Sequence, residues 1–425
     1  MALPKRRITV LVTSHAVFRA LCRSIAQGDI VRILFVGLPE SIHTVRWIEQ
    51  INDHGWDVHF FPVTAAALHP AFKNITVYRM SSARASGLDP SVRIRGLWPL
   101  GKGASRLTGM VDSAAWLARI IRWLKPDIVH SLGIQTGGYL TLEAKTLLRH
   151  RFPSWIVANW GSDIYLFGRL SEHAGRIRAV LAACDYYQAE CHRDVELGRG
   201  FGFRGGVLPV LPVTGGLAIE PARRLRHSGS TSARRLIVLK GYQHFAGRAL
   251  AGIRAIELCA DALAGYRIGV YLASPEVKIA VELLAQTTGL PIEIIPHGSH
   301  EDMLRLHGRA RVSIGLSISD SISTSVLEAM TMGSFPIQSH TGCANEWFRD
   351  GEGGLLVHPE DPEGVASAIR RAIADDALVD RAAEINGQVV AERLDHAVVR
   401  PQVIAMYNRV FAERDGGARA SADTD

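Results

Sequence analysis

Two hydrophobic periods alternate along the chain. RILFVG (32–37) is a continuous apolar run, as a parallel strand needs when both faces of its sheet are covered. The segment after it, SIHTVRWIEQINDHG, carries apolar residues at helical spacing up to Gly55, and WDVHFFPV returns to a strand pattern. Farther on, SAAWLARIIRWLKPD reads as a helix closed by Pro126, and IVHSLG, WIVANWGSDI, CDYYQAE and VLPVLPV read as strands. Residues 81–109, rich in Gly, Ser and Arg, read as loop, and residues 215–235 lose all periodicity. The rhythm then restarts, with RLIVLKG, YRIGVYLA, IEIIPHG and VSIGLS as strands between helical stretches. Asp361-Pro362-Glu363 opens a helix with a good N-cap and Pro in its first turn, and a long helical segment covers roughly 377–413. This order predicts two α/β units of similar size facing a cleft.

One stretch, 317–357, concentrates the candidate chemistry. The apolar run Val312 to Leu316 ends in small hydroxyl residues around Asp320, and the helical run VLEAMTM stops at Gly333. Phe335-Pro336-Ile337 then reads as a strand, Cys-Ala-Asn-Glu as a turn, and DGEGG as a hairpin before Leu355-Leu356-Val357. A strand that feeds a helix through small residues presents free N–H groups and the positive end of a dipole, which suits a phosphate. Asp320 and Glu328 stand eight steps apart, roughly 12 Å along a helix. That exceeds the roughly 5–5.5 Å of a retaining glycosidase pair and suits an extended ligand gripped at two places. A carboxylate accepts hydrogen bonds from vicinal hydroxyls, as on the two sugars that flank a diphosphate. Ser325-x-x-Glu328 equally fits a capping box.

Lys240 ends the first strand of the second half and Arg248 opens the next helix, so both cations would reach the same sheet edge. His43 follows the first strand in GLPESIHT, which lacks a dinucleotide fingerprint but lies where open α/β sheets bind ligands; a capping role fits it equally. His297 and His300 read as loop histidines, and no cluster has metal-ligand spacing.

Composition narrows the classes. At 425 residues two domains are expected, and the 47% hydrophobic and 21% charged shares are those of a globular protein. No run approaches the roughly 18 apolar residues of a membrane span. Five scattered cysteines read as reduced thiols of a cytoplasmic protein. Of the net charge of +7, Lys5, Arg6, Arg7, Arg19 and Arg23 against Asp29 place +4 in residues 1–30, so nucleic acid is not an expected partner. That segment lacks a cleavage site; it reads as an over-extended start or as a basic segment on an anionic membrane face. Arg84, Arg93, Arg95, Lys102 and Arg106 give 81–109 a local surplus, read as solvated loop or as a surface for an anionic acceptor or membrane.

SDSISTSVLEAMTMGSFPIQSHTGCANEWFRDGEGGLLVHPEDPEGVASAI resembles the donor-binding region of the family 4 retaining glycosyltransferases of GT-B fold. LPESIHTVRW, LKPDIVHS, WGSDI and LKGYQHFAGRA extend the resemblance across roughly 31–413. It implies two Rossmann-like parallel-sheet domains facing a central cleft, a nucleotide-diphospho-sugar donor, no cofactor, and metal-independent transfer with retention to a saccharide or lipid-linked acceptor in cell-envelope or surface polysaccharide synthesis. Glu328 would hold the ribose. Asp320, with Ser321, Ile322, Ser323 and Thr324, would face the transferred sugar and its phosphate. Lys240 and Arg248, with Gly241 beside them, would bind the diphosphate, and His297 and Gly298 would border the base. His43 and Asp163 become acceptor-side candidates.

The expected organisation is an extension (1–30), an acceptor-side domain (31–214), a linker (215–235), a donor domain (236–395), a helix crossing back (396–413) and a disordered tail (414–425). Three features depart from the family pattern: Asp320 where Glu is usual, a longer Lys240–Arg248 spacing, and Trp160 where many relatives have His. They keep two alternatives open, a nucleotide-sugar epimerase of the same shape and a non-catalytic nucleotide-sugar-binding subunit.

Overall fold

The computed structural model describes residues 30–79, 87–96, 113–148 and 152–422. Most of the expected 1–30 extension and parts of the 81–109 stretch lie outside them. Eight strands form a first, wholly parallel sheet: β1 (Arg32–Gly37), β2 (Asp57–Pro62), β3 (Thr76–Arg79), β4 (Arg93–Gly96), β5 (Ile128–Leu132), β6 (Ser154–Ala158), β7 (Tyr186–Gln188) and β8 (Gly206–Val207). Their order is β4-β3-β2-β1-β5-β6-β7-β8. Six more, β9 (Leu236–Lys240), β10 (Arg267–Tyr271), β11 (Ile292–Ile295), β12 (Val312–Gly315), β13 (Phe335–Ser339) and β14 (Leu355–Val357), form a second parallel sheet. Its order is β11-β10-β9-β12-β13-β14. The chain order reverses between β1 and β5 in one sheet and between β9 and β12 in the other. Open parallel sheets bind ligands beyond the strand ends at such switch points.

Burial follows the sequence pattern. In β1 all residues but Arg32 are buried, because helices cover both faces. Ser41 caps helix Ile42–Glu49, accepting from the His43 N–H at 3.2 Å. Asp361 caps Pro362–Ala374 and accepts from Gly364 N at 3.0 Å. Helix Thr324–Thr331 stops where Gly333 turns to φ +69, a region that side chains disfavour.

Several expectations change. β3 and β4 were not foreseen: β3 has only four residues, and β4 is an edge strand, which tolerates Arg93 and Arg95 among its residues. VLPVLPV contributes only Val207 to the two-residue β8, because Pro209 and Pro212 cannot donate to a ladder. The 215–235 break contains a helical turn, Ile219–Arg223. The expected helix over 377–413 is two helices, Asp376–Arg393 and His396–Ala422, and the second runs well past 414, where a disordered tail was expected. Among the described residues no helix is long and apolar enough to cross a membrane.

The last helix belongs to the first lobe by packing. Val399, Val403, Met406, Tyr407 and Val410 repeat at helical spacing and join Ile33, Phe35, Trp47 and Phe60 in one core. The Tyr407 hydroxyl accepts from the Trp47 indole at 2.9 Å and lies 2.7 Å from His130 Nδ1. Burial holds the His130 pKa down to about 3, so the ring is neutral and can accept. Arg400 pairs with Asp53 and Arg414 with Asp127, both in the first lobe. Tyr407→Phe strands the indole donor and is expected to cost about 1–3 kcal/mol in urea unfolding. An unchanged midpoint would show that water takes over both bonds.

Candidate active site

The second sheet's switch point gathers the candidate residues. β9 ends at Lys240, and its neighbour β12 leads into the 316–323 loop and helix Thr324–Thr331. Ser323 is the N-cap, yet its hydroxyl makes no capping bond; it lies 2.8 Å from Ser325 Oγ and accepts from Lys240 Nζ at 3.3 Å. The first turn therefore faces a cation instead of its own cap. A cavity of about 200 Å³ opens there, lined by Lys240, Phe245, Asp320, Ile322, Ser323 and Gly342. Burial raises the Asp320 carboxyl above its ordinary value against the pull of Lys240.

Glu328 faces elsewhere. It lines a second cavity of about 200 Å³ between the lobes, with Arg46, Gln50, Thr214, His300 and His396. His300 Nε2 donates to Glu328 Oε1 at 2.8 Å, and His307 Nε2 stands 4.0 Å from Oε2. Burial pushes Glu328 up, but the His300 bond and the potential of His307, His300 and Arg46 outweigh it and hold the carboxyl below its usual range. The capping-box reading of Ser325-x-x-Glu328 is wrong. Ser323 is the N-cap, and the carboxylate is spent on His300. His300 is likewise no loop histidine: the capping box of Ser299 and Asp302 fixes it at the start of helix His300–Arg309. That Ser-x-x-Asp signal was present in the sequence.

Other expected residues separate from these. Arg248 N-caps helix Ala249–Leu258, but its guanidinium pairs with Glu360 at 2.7 Å and with the carbonyls of His244 and Gly247. It is thus already occupied at the rim and does not line the Lys240 cavity. Gly241 packs against Ala273, where a Cβ would meet Ala273 Cα at 2.6 Å. Ser321 is buried and binds the first lobe, while Thr324 turns to the Glu328 cavity. His297 is exposed, and neither it nor Gly298 lines either cavity.

The first lobe closes the site from one side. Ser321 Oγ donates to Asp194 Oδ2 at 2.5 Å, and Arg193 reaches the carbonyls of Asp320 (2.7 Å) and Thr341 (2.6 Å). Gly161, at φ +45, lies against Asp320, where a Cβ would approach Oδ1 to 3.4 Å. His43 carries a buried Nδ1 with no hydrogen-bond partner among the described residues, beside Trp160. Burial, with Arg46 and Lys240 nearby, lowers its pKa to about 4, leaving a neutral imidazole. Asp163 instead closes its own turn, accepting from Ile134 N (2.7 Å) and Trp160 N (3.0 Å), and burial raises it to about 7.

Comparisons with known proteins fit this geometry. The family model "Glycosyl transferase 4-like" matches residues 32–189, and "Glycosyl transferases group 1" matches residues 264–388. The chain belongs to the group 1 glycosyltransferases. Two curated relatives are similar over part of their length. The D-inositol 3-phosphate glycosyltransferase of Nocardioides is 31% identical over 30% of this chain and 27% of its own. The lipopolysaccharide core biosynthesis glycosyltransferase LpsE of Rhizobium meliloti is 28% identical over 32% of this chain and 48% of its own. The matched stretch is thus under half of either relative.

Solved structures share the fold at low identity. The sucrose-phosphate synthase of Thermosynechococcus elongatus superimposes with a TM-score of 0.65 at 16% identity, covering 90% of this chain and 100% of that one. Anabaena HepE in complex with UDP-glucose gives 0.63 at 13%, covering 89% and 99%. The two-lobed architecture is therefore GT-B.

One buried acid beside the candidate site of this glycosyltransferase went unread in the sequence. Glu190, just past β7, is buried with its oxygens on Val213 N (2.8 Å) and Gly161 N (3.3 Å). Burial, then the nearby Asp320 and Asp194, raise its pKa to about 8. Its position beyond a strand end was the available signal. A carboxyl raised in the folded state contributes stability that is present below its unfolded pKa of about 4.5 and lost as pH rises towards 8. Unfolding followed from pH 4.5 to 8 should therefore show declining stability that Glu190→Gln flattens. Parallel curves for the two proteins would place the ionised form in the native state.

Proposed function

We propose that the chain transfers a sugar from a nucleotide-diphospho-sugar to a saccharide or lipid-linked acceptor, with retention of anomeric configuration, in cell-envelope polysaccharide synthesis. The observation that carries this reading is the placement of Lys240, Asp320 and Glu328 around the start of helix Thr324–Thr331, with a cavity on each side. The helix start and Lys240 supply positive charge for the diphosphate. Glu328, kept ionised by its histidines, accepts from the ribose hydroxyls, and Asp320 contacts the sugar.

In the reaction the bond between the anomeric carbon and the phosphate oxygen breaks, and the diphosphate leaves with the electron pair. The acceptor hydroxyl attacks from the same face, and its proton passes to the departing phosphate oxygen. Lys240 stabilises the charge that develops there. His43, neutral and with one ring nitrogen unpaired among the described residues, would bind acceptor or sugar from the first lobe. The likeness to a lipopolysaccharide core enzyme supports the envelope role, and the UDP-glucose in HepE puts UDP-sugars first among donors to test.

A thermal-shift screen of UDP-, GDP- and ADP-sugars tests the donor site. A ligand at 100 times its Kd stabilises by about 2.7 kcal/mol, and a flat response to every donor would sink the assignment. Glu328→Ala is expected to weaken binding of the effective nucleotide by about 1.5–3 kcal/mol, with little change in the ligand-free melting temperature. Loss of folded protein instead would make Glu328 a structural residue.

A further inference from the structure

The seam between the lobes holds a pair of groups that the proposed transfer does not use. Cys191 immediately precedes helix His192–Gly200 in the first lobe, and Cys343 opens the turn Cys343–Glu346 in the second. Both are buried, and their Sγ atoms are in contact at 2.6 Å although 152 residues separate them in sequence. Scattered cysteines buried as small apolar groups have no reason to meet head to head across a lobe boundary.

We propose that Cys191 and Cys343 form a reversible disulfide that fastens the two lobes beside the Lys240–Asp320 cavity.

The backbone on both sides is already held in register. Glu346 accepts from His192 N (2.9 Å) and Arg193 N (3.2 Å), and Arg193 holds the carbonyl of Thr341. Cys343 N donates to Ser321 O at 2.5 Å, and Cys343 itself lines the cavity. A bond here therefore ties the first lobe to the 317–323 loop. Glu346 also comes near both sulfurs, which raises a metal site as the competing use. Two thiolates on tetrahedral zinc, each about 2.3 Å from the ion, stand about 3.8 Å apart. The observed contact is closer than that, and the Glu346 oxygens already accept from His192 and Arg193.

Closed, the pair is inert: the contact with Cys343 and burial push the Cys191 thiol far above its ordinary range. Parting of the lobes wets both thiols and frees a thiolate. The oxidant is a low-molecular-weight disulfide of the glutathione class. One cysteine thiolate attacks it, forming a mixed disulfide and releasing one small thiol. As the lobes close, the second thiolate attacks the cysteine sulfur of that mixed disulfide and expels the second small thiol. Two protein thiols are oxidised and one small disulfide is reduced. If the cleft admits nucleotide as proposed above, the locked form exchanges it slowly.

The full-length chain incubated with glutathione disulfide tests this. A non-reduced digest should contain Cys191 linked to Cys343, with two of the five thiols lost. Amide hydrogen exchange over 317–323 should slow, and dithiothreitol should reverse each change. Cys191→Ser should exchange like the reduced protein with or without oxidant. These readouts need no nucleotide, so they stand apart from the donor-site reading. Where UDP binds the reduced protein, its association with the oxidised form should be slower by on the order of tenfold. The proposal is overturned if both cysteines stay reduced while accessible thiols are oxidised, if the link joins other cysteines, if exchange over 317–323 is unchanged, or if the reduced protein retains stoichiometric zinc after dialysis.

Discussion

Arg193 carries the junction on which the site depends. Its guanidinium stacks on Tyr165 at 3.8 Å, pairs with Asp194 at 2.8 Å and donates to the carbonyls of Asp320 and Thr341. A largely buried cation that lost one of these acceptors would keep its desolvation cost without the compensating bond. The turn at 160–165, the loop at 317–323 and the turn at 339–346 must therefore be in register together. Asp320 is positioned by a residue of the opposite lobe as much as by its own strand. The helix start that faces Lys240 is thus finished by an interface.

Electrostatics differ on the two sides of that helix start. Towards the first lobe, Asp163, Glu190 and Asp320 are all raised by burial, with Asp194 as a further like charge. Burial beside like charge favours the protonated form of Asp163 and Glu190. On the other side Glu328 is kept ionised by His300, His307 and Arg46. In the proposed reading the second environment suits a pair of vicinal hydroxyls, while the first can both donate to and accept from a sugar.

Most strands of both lobes were legible because runs such as β1 and β9 are apolar along most of their length, and helices such as Pro362–Ala374 announce themselves by a cap. That Glu328, Asp320 and Lys240 gather around one helix start was legible from their place at a strand end or helix start. What misled was local ambiguity. Ser325-x-x-Glu328 has the letters of a capping box, but the helix begins two residues after Ile322, and this turns Glu328 towards His300. Arg248 lay at the right edge, yet its partner Glu360 is 112 residues away, beyond any spacing rule. Glu190, Arg193 and the Cys191–Cys343 contact all involve lobe-to-lobe or loop-to-loop approach, which periodicity cannot encode. β4 was hidden because an edge strand need not be apolar.

The crossing helix sets the order of synthesis against the order of packing. The first lobe emerges first from the ribosome, but its core lacks Val399, Val403, Met406, Tyr407 and Val410 until the second lobe has been made. During that interval Trp47 and Phe35 face a groove that nothing yet fills, and chains that expose such surface while growing are prone to misassembly. The second lobe, whose core draws on residues 237–382, can close on itself first. One face of the early-made lobe is thus completed only by the last helix, while its other face, with Leu34, Trp155 and Tyr187, needs none of it.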